Sequence, residues 1–342
     1  VTLPFDALET WAAEVLTAAG ASERGAALTA QACVRANRMG LDSHGVVYLE
    51  TYVRRLRSGV VDGRGEPEVV EALPTLALID GHFALGAQVG TFAMEWCCEH
   101  AEANGIAAAV TKDSSHFGAA SFYSERAARR GCIGMVFSNA DPGLAPEGAL
   151  SAVLGTNPIA VAAPPVDGVL PSLDMAASVV AQGRVTLAAK RGEAIPPDWA
   201  LGRDGRPTTD PVEALGNTML PAAGYKGFGL AFVIDVLTGC FGGGLVSPEL
   251  VEERGAAQLF IALKVGAVSN QRSYERRLRE LVAAVHDAPR AEWAPPFLVP
   301  GEREARTAYD RGPAMDLDEA TLTLLRAIGE ECGVPFPVSA AG

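Results

Sequence analysis

Apolar positions in the first sixty residues recur with a helical period. Leu8, Trp11, Ala12, Val15 and Leu16 form one face of a helix predicted over residues 5–20, with Asp6 and Glu9 at capping-box spacing. A second helix is predicted from Ser22 to Met39, with Ser22 as its cap and Gly40 as its stop. A third runs from His44 to Ser58, capped by Asp42 or Ser43 and stopped by Gly59, with Val46, Leu49, Val53 and Leu56 as its face. These three make a helical unit. The polar, Gly- and Pro-containing residues 61–67 mark a boundary after it.

Beyond that boundary strands and helices alternate to about Leu173. Leu76–Ile79 reads as a strand and Gly86–Ala103 as a helix. The β-branched runs Ala107–Thr111 and Ile133–Phe137 bracket a segment of helical spacing. The first ends in Asp113-Ser114-Ser115-His116-Phe117-Gly118 and the second in Ser138-Asn139. A third turn, Leu154-Gly155-Thr156-Asn157-Pro158, leads into another apolar run. One such turn reads as ordinary; three of them, with an imidazole in the first, read as a ligand site. Residues 167–178 form a turn and a strand ending at Asp174, and residues 190–210 read as loop. Gly224-Tyr225-Lys226-Gly227 opens a long apolar helix over 228–238; a strand at Gln258–Val265 and helices at Gln271–His286 and Leu317–Glu331 complete the chain.

The chain has 342 residues, 49% of them hydrophobic, enough for two domains rather than one. No apolar run reaches the roughly 20 residues of a membrane span, and the N-terminal stretch has no signal-peptide pattern. A formal charge of −13 argues against a nucleic-acid partner. The six cysteines are scattered without a CxxC, the usage of reduced thiols in a cytoplasmic protein. The sequence has no G-x-G-x-x-G, Walker A, H-E-x-x-H or G-x-S-x-G motif. His44, His82, His100, His116 and His286 lie outside helical reach of one another, so no metal site is expected.

His44, at a predicted helix start, tends toward the neutral imidazole that can give or take a proton; a capping contact is the other reading. His116, in a post-strand turn, reads as functional ahead of a buried polar contact. His82 reads as a turn residue, and His100 and His286 as solvated. Lys226, among glycines at a helix start, suits a phosphate or carboxylate; a snorkelling lysine is the alternative. Asp174 either accepts from a ribose hydroxyl, orients a histidine, or makes an Asx turn.

Asp42-Ser43-His44-Gly45-Val46 with Tyr52 and Gly59, Ser115-His116-Phe117-Gly118, Leu154-Gly155-Thr156-Asn157-Pro158, Asp174-Met175-Ala176 and Gly224-Tyr225-Lys226-Gly227 occur in that order. Together with Pro300-Gly301-Glu302 they resemble the malate/L-lactate dehydrogenase family of the non-Rossmann type, over nearly the whole chain. The resemblance implies an α/β (α+β) fold. A helical domain comes from both chain ends (1–70 and 270–342), and a central domain (71–269) binds NAD or NADP on a mostly antiparallel sheet. It implies a homodimer acting on a small molecule, with no membrane or nucleic-acid partner. His44 and His116 are then the catalytic acid/base candidates. Ser138, Asp174, Met175, Ala176, Lys226, Gly227, Gly301 and Glu302 match cofactor-contacting positions.

The chain departs from the family pattern at five places. Tyr48 and Met39 stand where arginines are usual, Asn37 where an acid is common, Glu147 where an aromatic is usual, and Ala177 where a hydroxyl residue is usual. Losing the charge at Tyr48 weakens the grip on a simple 2-oxo acid. The expected activity is hydride transfer between a nicotinamide and a small 2-oxo/2-hydroxy acid or related imino acid that is not plain malate or lactate. Tyr48 and Arg38 are the substrate-side candidates; the alternatives to a changed substrate are that Arg38 or Arg54 takes over the carboxylate, or that the chain is a diverged member with little activity. A ureidoglycolate-type dehydrogenase and a non-catalytic scaffold are the alternatives.

Overall fold

The computed structural model describes residues 1–146, 148–215 and 217–337; Glu147 lies outside them. The chain opens with β1 (Thr2–Pro4), α1 (Phe5–Ala18), α2 (Glu23–Arg38) and α3 (Leu49–Ser58). Then come β2 (Glu68–Leu73), β3 (Leu76–Asp80), α4 (Gly86–Asn104), β4 (Ile106–Ser114), α5 (Ser121–Arg129), β5 (Cys132–Ser138), β6 (Ile159–Ala162) and β7 (Ser172–Met175). A smaller lobe holds α6 (Gln182–Arg191), β8 (Ala200–Leu201), α7 (Pro211–Leu215) and β9 (Thr218–Met219). The chain ends with α8 (Tyr225–Asp235), β10 (Ala256–Lys264), α9 (Gln271–His286), α10 (Glu302–Arg311), β11 (Ala314–Asp316) and α11 (Glu319–Cys332).

A seven-stranded sheet in the order β2-β3-β4-β10-β5-β6-β7 forms the centre. Only β3 and β4 run parallel, joined through the crossover helix α4; every other neighbouring pair is antiparallel. This is not a doubly wound nucleotide fold, in keeping with the missing glycine fingerprint. One face of the sheet packs on α4 and α5 through Phe260, Tyr123, Met94 and Cys97. The other face packs Val110, Phe137 and Leu259 against Ile234 of α8. A separate core joins the chain ends, with Phe5, Trp11, Leu16 and Leu49 against Leu322, Leu325 and Ile328. β1 pairs antiparallel with β11, so the termini are stitched to each other.

Several expected boundaries move. The capping box at Asp6 and Glu9 does not form: the cap of α1 is Pro4, because the chain arrives from β1 and the Phe5 N–H goes to Pro313 O at 3.0 Å. Ser22 does cap α2, accepting from the Gly25 N–H, and left-handed Gly59 ends α3. The expected helix from His44 to Ser58 is two 3-10 turns, Asp42–His44 and Val46–Tyr48, followed by α3. Asn37 imposes the break. Its amide bonds Asp42 Oδ1 at 2.8 Å and its carbonyl takes the Val46 N–H at 2.8 Å. A Cβ at Gly45 would overlap that same amide, so glycine is what fits there.

β2, α6, α10 and β11 were not expected. β2 is an exposed edge strand with little alternation, and α6 extends into the stretch read as loop. The long apolar helix begins earlier, at Tyr225, and changes to a π-helical turn at Val236–Cys240.

Candidate active site

The last residue of β4 and the first turns after α2 bring the two histidines together. The rings of His44 and His116 lie 5.9 Å apart, with planes inclined by 17°. Tyr48 stacks on His116 at 4.1 Å. The buried Tyr52 places its hydroxyl 2.7 Å from His116 Nδ1, and Ser43 Oγ lies 3.0 Å from His44 Nδ1. Ser115 fixes the turn between them, donating to Ala84 O and accepting the Gly86 N–H, both at 2.9 Å. Burial lowers the pKa of His44, and the Asp174 carboxylate opposes that fall. His116 drops well below the ordinary imidazole range through burial first, then the fields of His44 and Arg55. The cause at His44 differs from the one expected. It sits in a 3-10 turn, not at an α-helix N-terminus, and desolvation does the work. Burial also raises the Tyr52 phenol well above its usual range, so it stays protonated. A protonated phenol can donate to His116 Nδ1, the arrangement that puts the ring proton on Nε2.

Asp174 ends up beside this pair. Its Oδ2 accepts the Ser121 N–H at 2.8 Å. Behind it the proposed cofactor positions flank β7, the start of α8 at its end and Gly301-Glu302 at its beginning. Ala222 N–H donates to Ala177 O, and Gly227 N–H to Ala222 O, both at 2.8 Å, which docks the start of α8 next to Asp174-Met175-Ala176. Ser172 N–H donates to Pro300 O at 3.0 Å, and a Cβ at Gly301 would stand 2.7 Å from Leu170 O. Glu302 Oε2 takes the Val299 N–H and faces His286 Nε2, each at 2.8 Å. Lys226 is exposed in the first turn of α8. A carboxylate that can accept from ribose hydroxyls and an exposed cation in the first turn of an eleven-residue helix, suited to phosphate, fit a dinucleotide.

Not every candidate is drawn in. Arg38 lies 4.8 Å over the ring of Phe5 and 3.8 Å from Asp6, packed on the terminal helices. Arg54 is engaged by Glu252 at 2.6 Å. Ser138 spends its hydroxyl on the carbonyl of Asn139 at 2.8 Å. The turns at Asn139 and Asn157, read as parts of a ligand site, converge instead on buried Asp235. Sequence reasoning passed over Arg55. Its signal was Tyr48, Tyr52 and Arg55 at i, i+4 and i+7 of one helical face.

A family model for malate/L-lactate dehydrogenase matches residues 3–326. The chain belongs to that family. It is 34% identical over 328 residues to the L-sulfolactate dehydrogenase of Methanocaldococcus jannaschii, covering 94% of each chain. The solved structure of that archaeal enzyme superposes with a TM-score of 0.90, at 32% identity and 98% coverage of both chains. The (2R)-3-sulfolactate dehydrogenase (NADP(+)) of Chromohalobacter salexigens is 34% identical, over 93% of this chain and 95% of its own. The ureidoglycolate dehydrogenase (NAD(+)) of Escherichia coli K12 is 35% identical, over 78% of this chain and 77% of its own.

Proposed function

We propose that this site interconverts a small 2-hydroxy acid and its 2-oxo acid, or a related imino acid, with NAD or NADP. The enzyme is an NAD(P)-dependent oxidoreductase of small hydroxy and oxo acids. The observation that carries the assignment of roles is the paired histidines with opposite charges beside them, a carboxylate at His44 and a guanidinium near His116.

A bound nicotinamide supplies the hydride acceptor for the hydroxy acid, or the donor for the oxo acid. The chain's own residues handle the proton. His44 holds Nδ1 against Ser43 and uses Nε2 to take the hydroxyl proton, and Asp174 steadies the imidazolium that forms. His116, kept neutral with Nε2 protonated, donates a hydrogen bond to the same oxygen. Asp174, Met175, Ala176, Lys226, Gly227, Gly301 and Glu302 would hold the dinucleotide, with Ser138 behind them.

Tyr48 sets the substrate apart from plain malate or lactate. Burial keeps its phenol neutral, so the wall stacked on His116 gives a hydrogen bond and no charge. A substrate with an uncharged distal group, as in ureidoglycolate, suits that wall and is the second reading. The helical domain of 1–70 and 270–342 is part of the proposal, supported by the shared core of α1, α3 and α11 and by the Arg311–Asp42 ion pair at 2.8 Å. So is a homodimer, supported by the outward row of Tyr225, Phe232 and Val236 on and after α8. Cytoplasmic residence is supported by cysteines that are all free, with Cys33, Cys97, Cys98 and Cys132 buried. Among the described residues no helix is long and apolar enough to cross a membrane.

The test is a titration of NADH and NADPH into wild type and Lys226→Ala. A panel of malate, lactate, sulfolactate, ureidoglycolate, 2-oxo acids and cyclic imino acids follows, with light scattering of the same preparation. One cofactor binds, roughly tenfold more weakly in the variant, and malate and lactate are the poorest acids. Failure of both cofactors to bind would end the reading, and a monomer would end the dimer.

A further inference from the structure

The guanidinium of Arg55 is the part of the site wall that the proton chemistry leaves unused. Its side chain is 6% exposed, and it makes no hydrogen bond among the described residues. Nε and Nη1 are both sealed from solvent and unpartnered. A buried cation in that condition is costly, and such groups in folded proteins answer to a water, an ion or a ligand.

Tyr48, Tyr52 and Arg55 share one face of α3 and the turn before it. Helical side chains lean toward the N-terminus, which carries the guanidinium back over the turn of Tyr52 toward Tyr48. Its field is felt at both Tyr48 and His116. We infer that Arg55 anchors the acid group of the substrate, a carboxylate or sulfonate, from a place two turns of helix beyond Tyr48. This rests on the oxidoreductase reading above and deepens it.

Three carboxylates stand near, two of them at ion-pair distance, and none closes a hydrogen bond on the cation. Glu252 Oε2 is 3.8 Å from Nε but is taken by Arg54 at 2.6 Å. Glu253 Oε2 is 4.0 Å from Nη1, beyond hydrogen-bond reach. Asp141 is occupied by the Glu253 N–H at 2.7 Å. Burial pushes Glu253 up to about 7, against the opposing field of Arg55. Backbone geometry holds this standoff. Glu252 and Glu253 both have φ of +54°, a left-handed conformation that side chains rarely adopt. Arg254 pins the loop, donating to Gly59 O at 3.2 Å and lying 3.9 Å over the ring of Phe83. Arg38 and Arg54, the other arginines considered for this task, are engaged elsewhere. A planar guanidinium fits a carboxylate or sulfonate and discriminates against its amide.

The experiment compares wild type, Arg55→Lys and Arg55→Met. Calorimetry measures binding of oxamate and its uncharged diamide, oxamide, to each protein saturated with NADH or NADPH, whichever binds. Steady-state kinetics then gives kcat and KM for the best acid of the panel. Wild type binds oxamate and not oxamide. Arg55→Met loses about 10- to 100-fold in oxamate affinity and raises KM by a similar factor, with cofactor affinity unchanged. Arg55→Lys recovers part of both. Arg55→Met also leaves Glu253 and Asp141 without a nearby cation, so its melting temperature falls; Arg55→Lys keeps the charge and separates that effect from the lost anchor. Unchanged oxamate affinity in Arg55→Met, or a wild type that binds oxamate and oxamide alike, overturns the inference. So does a loss that follows a lowered melting temperature and is not rescued by lysine. Oxamate binding that needs Arg55 in a protein that turns over no acid would instead leave the anchor standing and sink the reaction.

Discussion

Two buried polar clusters flank β10, and they are built differently. Around Asp235, which is 5% exposed, every group closes on another protein group. Its carboxylate accepts from Asn139 Nδ2 at 3.3 Å, Asn157 Nδ2 at 3.0 Å and the Ser247 N–H at 2.9 Å. Asn139 Oδ1 takes the Ala257 N–H at 2.8 Å, and Asn157 Oδ1 takes the Ala140 N–H at 3.0 Å. Around His116 the network stops short. Tyr52 and Ser43 hold one nitrogen of each ring, and the other nitrogens and the whole of Arg55 have no hydrogen-bond partner among the described residues. Gln258 of β10 holds β4 and the turn after it, accepting from Thr111 Oγ1 at 2.6 Å and donating to Ser115 O at 3.4 Å. A buried network that satisfies itself holds the loops in place. One left open on a single side keeps its bonds for a ligand.

The difference is tested by deleting the centre of each. His44→Asn removes the proton acceptor and lowers kcat by about 10²- to 10⁴-fold, with melting temperature and cofactor affinity close to wild type. Stopped-flow and calorimetry on one preparation check all three. Asp235→Ala does the opposite. Three buried donors lose their acceptor, which costs about 3 kcal/mol of stability, and the surviving folded fraction keeps its kcat. Denaturant unfolding together with active-site titration reads both quantities. If Asp235→Ala cut kcat without moving the unfolding midpoint, the division between the clusters would fail.

The same contrast explains what the sequence could disclose. The helical faces of α1 and α2, the serine cap and the Gly59 stop depend on neighbours three or four residues away, and they were legible. The two histidines were legible as motifs, but not as a stacked pair 72 positions apart in the chain (44 to 116). Asn139 and Asn157 read as ligand residues because their partner, Asp235, lies in an apolar helix far along the chain. Only the close packing of α8 on β5 and β10 shows that this acid is their hub. Arg55 was hidden for a related reason. A charged residue on an amphipathic helix reads as surface until a distant loop, here residues 250–255, covers it.

The smallest expected effect concerns pH and separates His44 from His116 as the titrating base. Oxidation of a hydroxy acid needs a neutral His44, so kcat/KM falls as pH drops through the His44 pKa. Burial places that pKa below the ordinary 6.5, and the acid limb therefore lies below 6.5 too. An unperturbed imidazole would be only about a quarter neutral at pH 6; this enzyme retains more than that share of its plateau rate there. Asp174 opposes the burial effect, so Asp174→Asn moves the limb to still lower pH, at saturating cofactor. The carboxylate it removes stabilises imidazolium, so the reverse reaction, which consumes that proton, slows at the same time. His116 has no such carboxylate among the groups that shift it, and its own field comes from His44 and Arg55. A limb that ignores Asp174→Asn but rises when Arg55 is replaced by methionine would transfer the base from His44 to His116. The open cluster would then keep its ligand and exchange its roles.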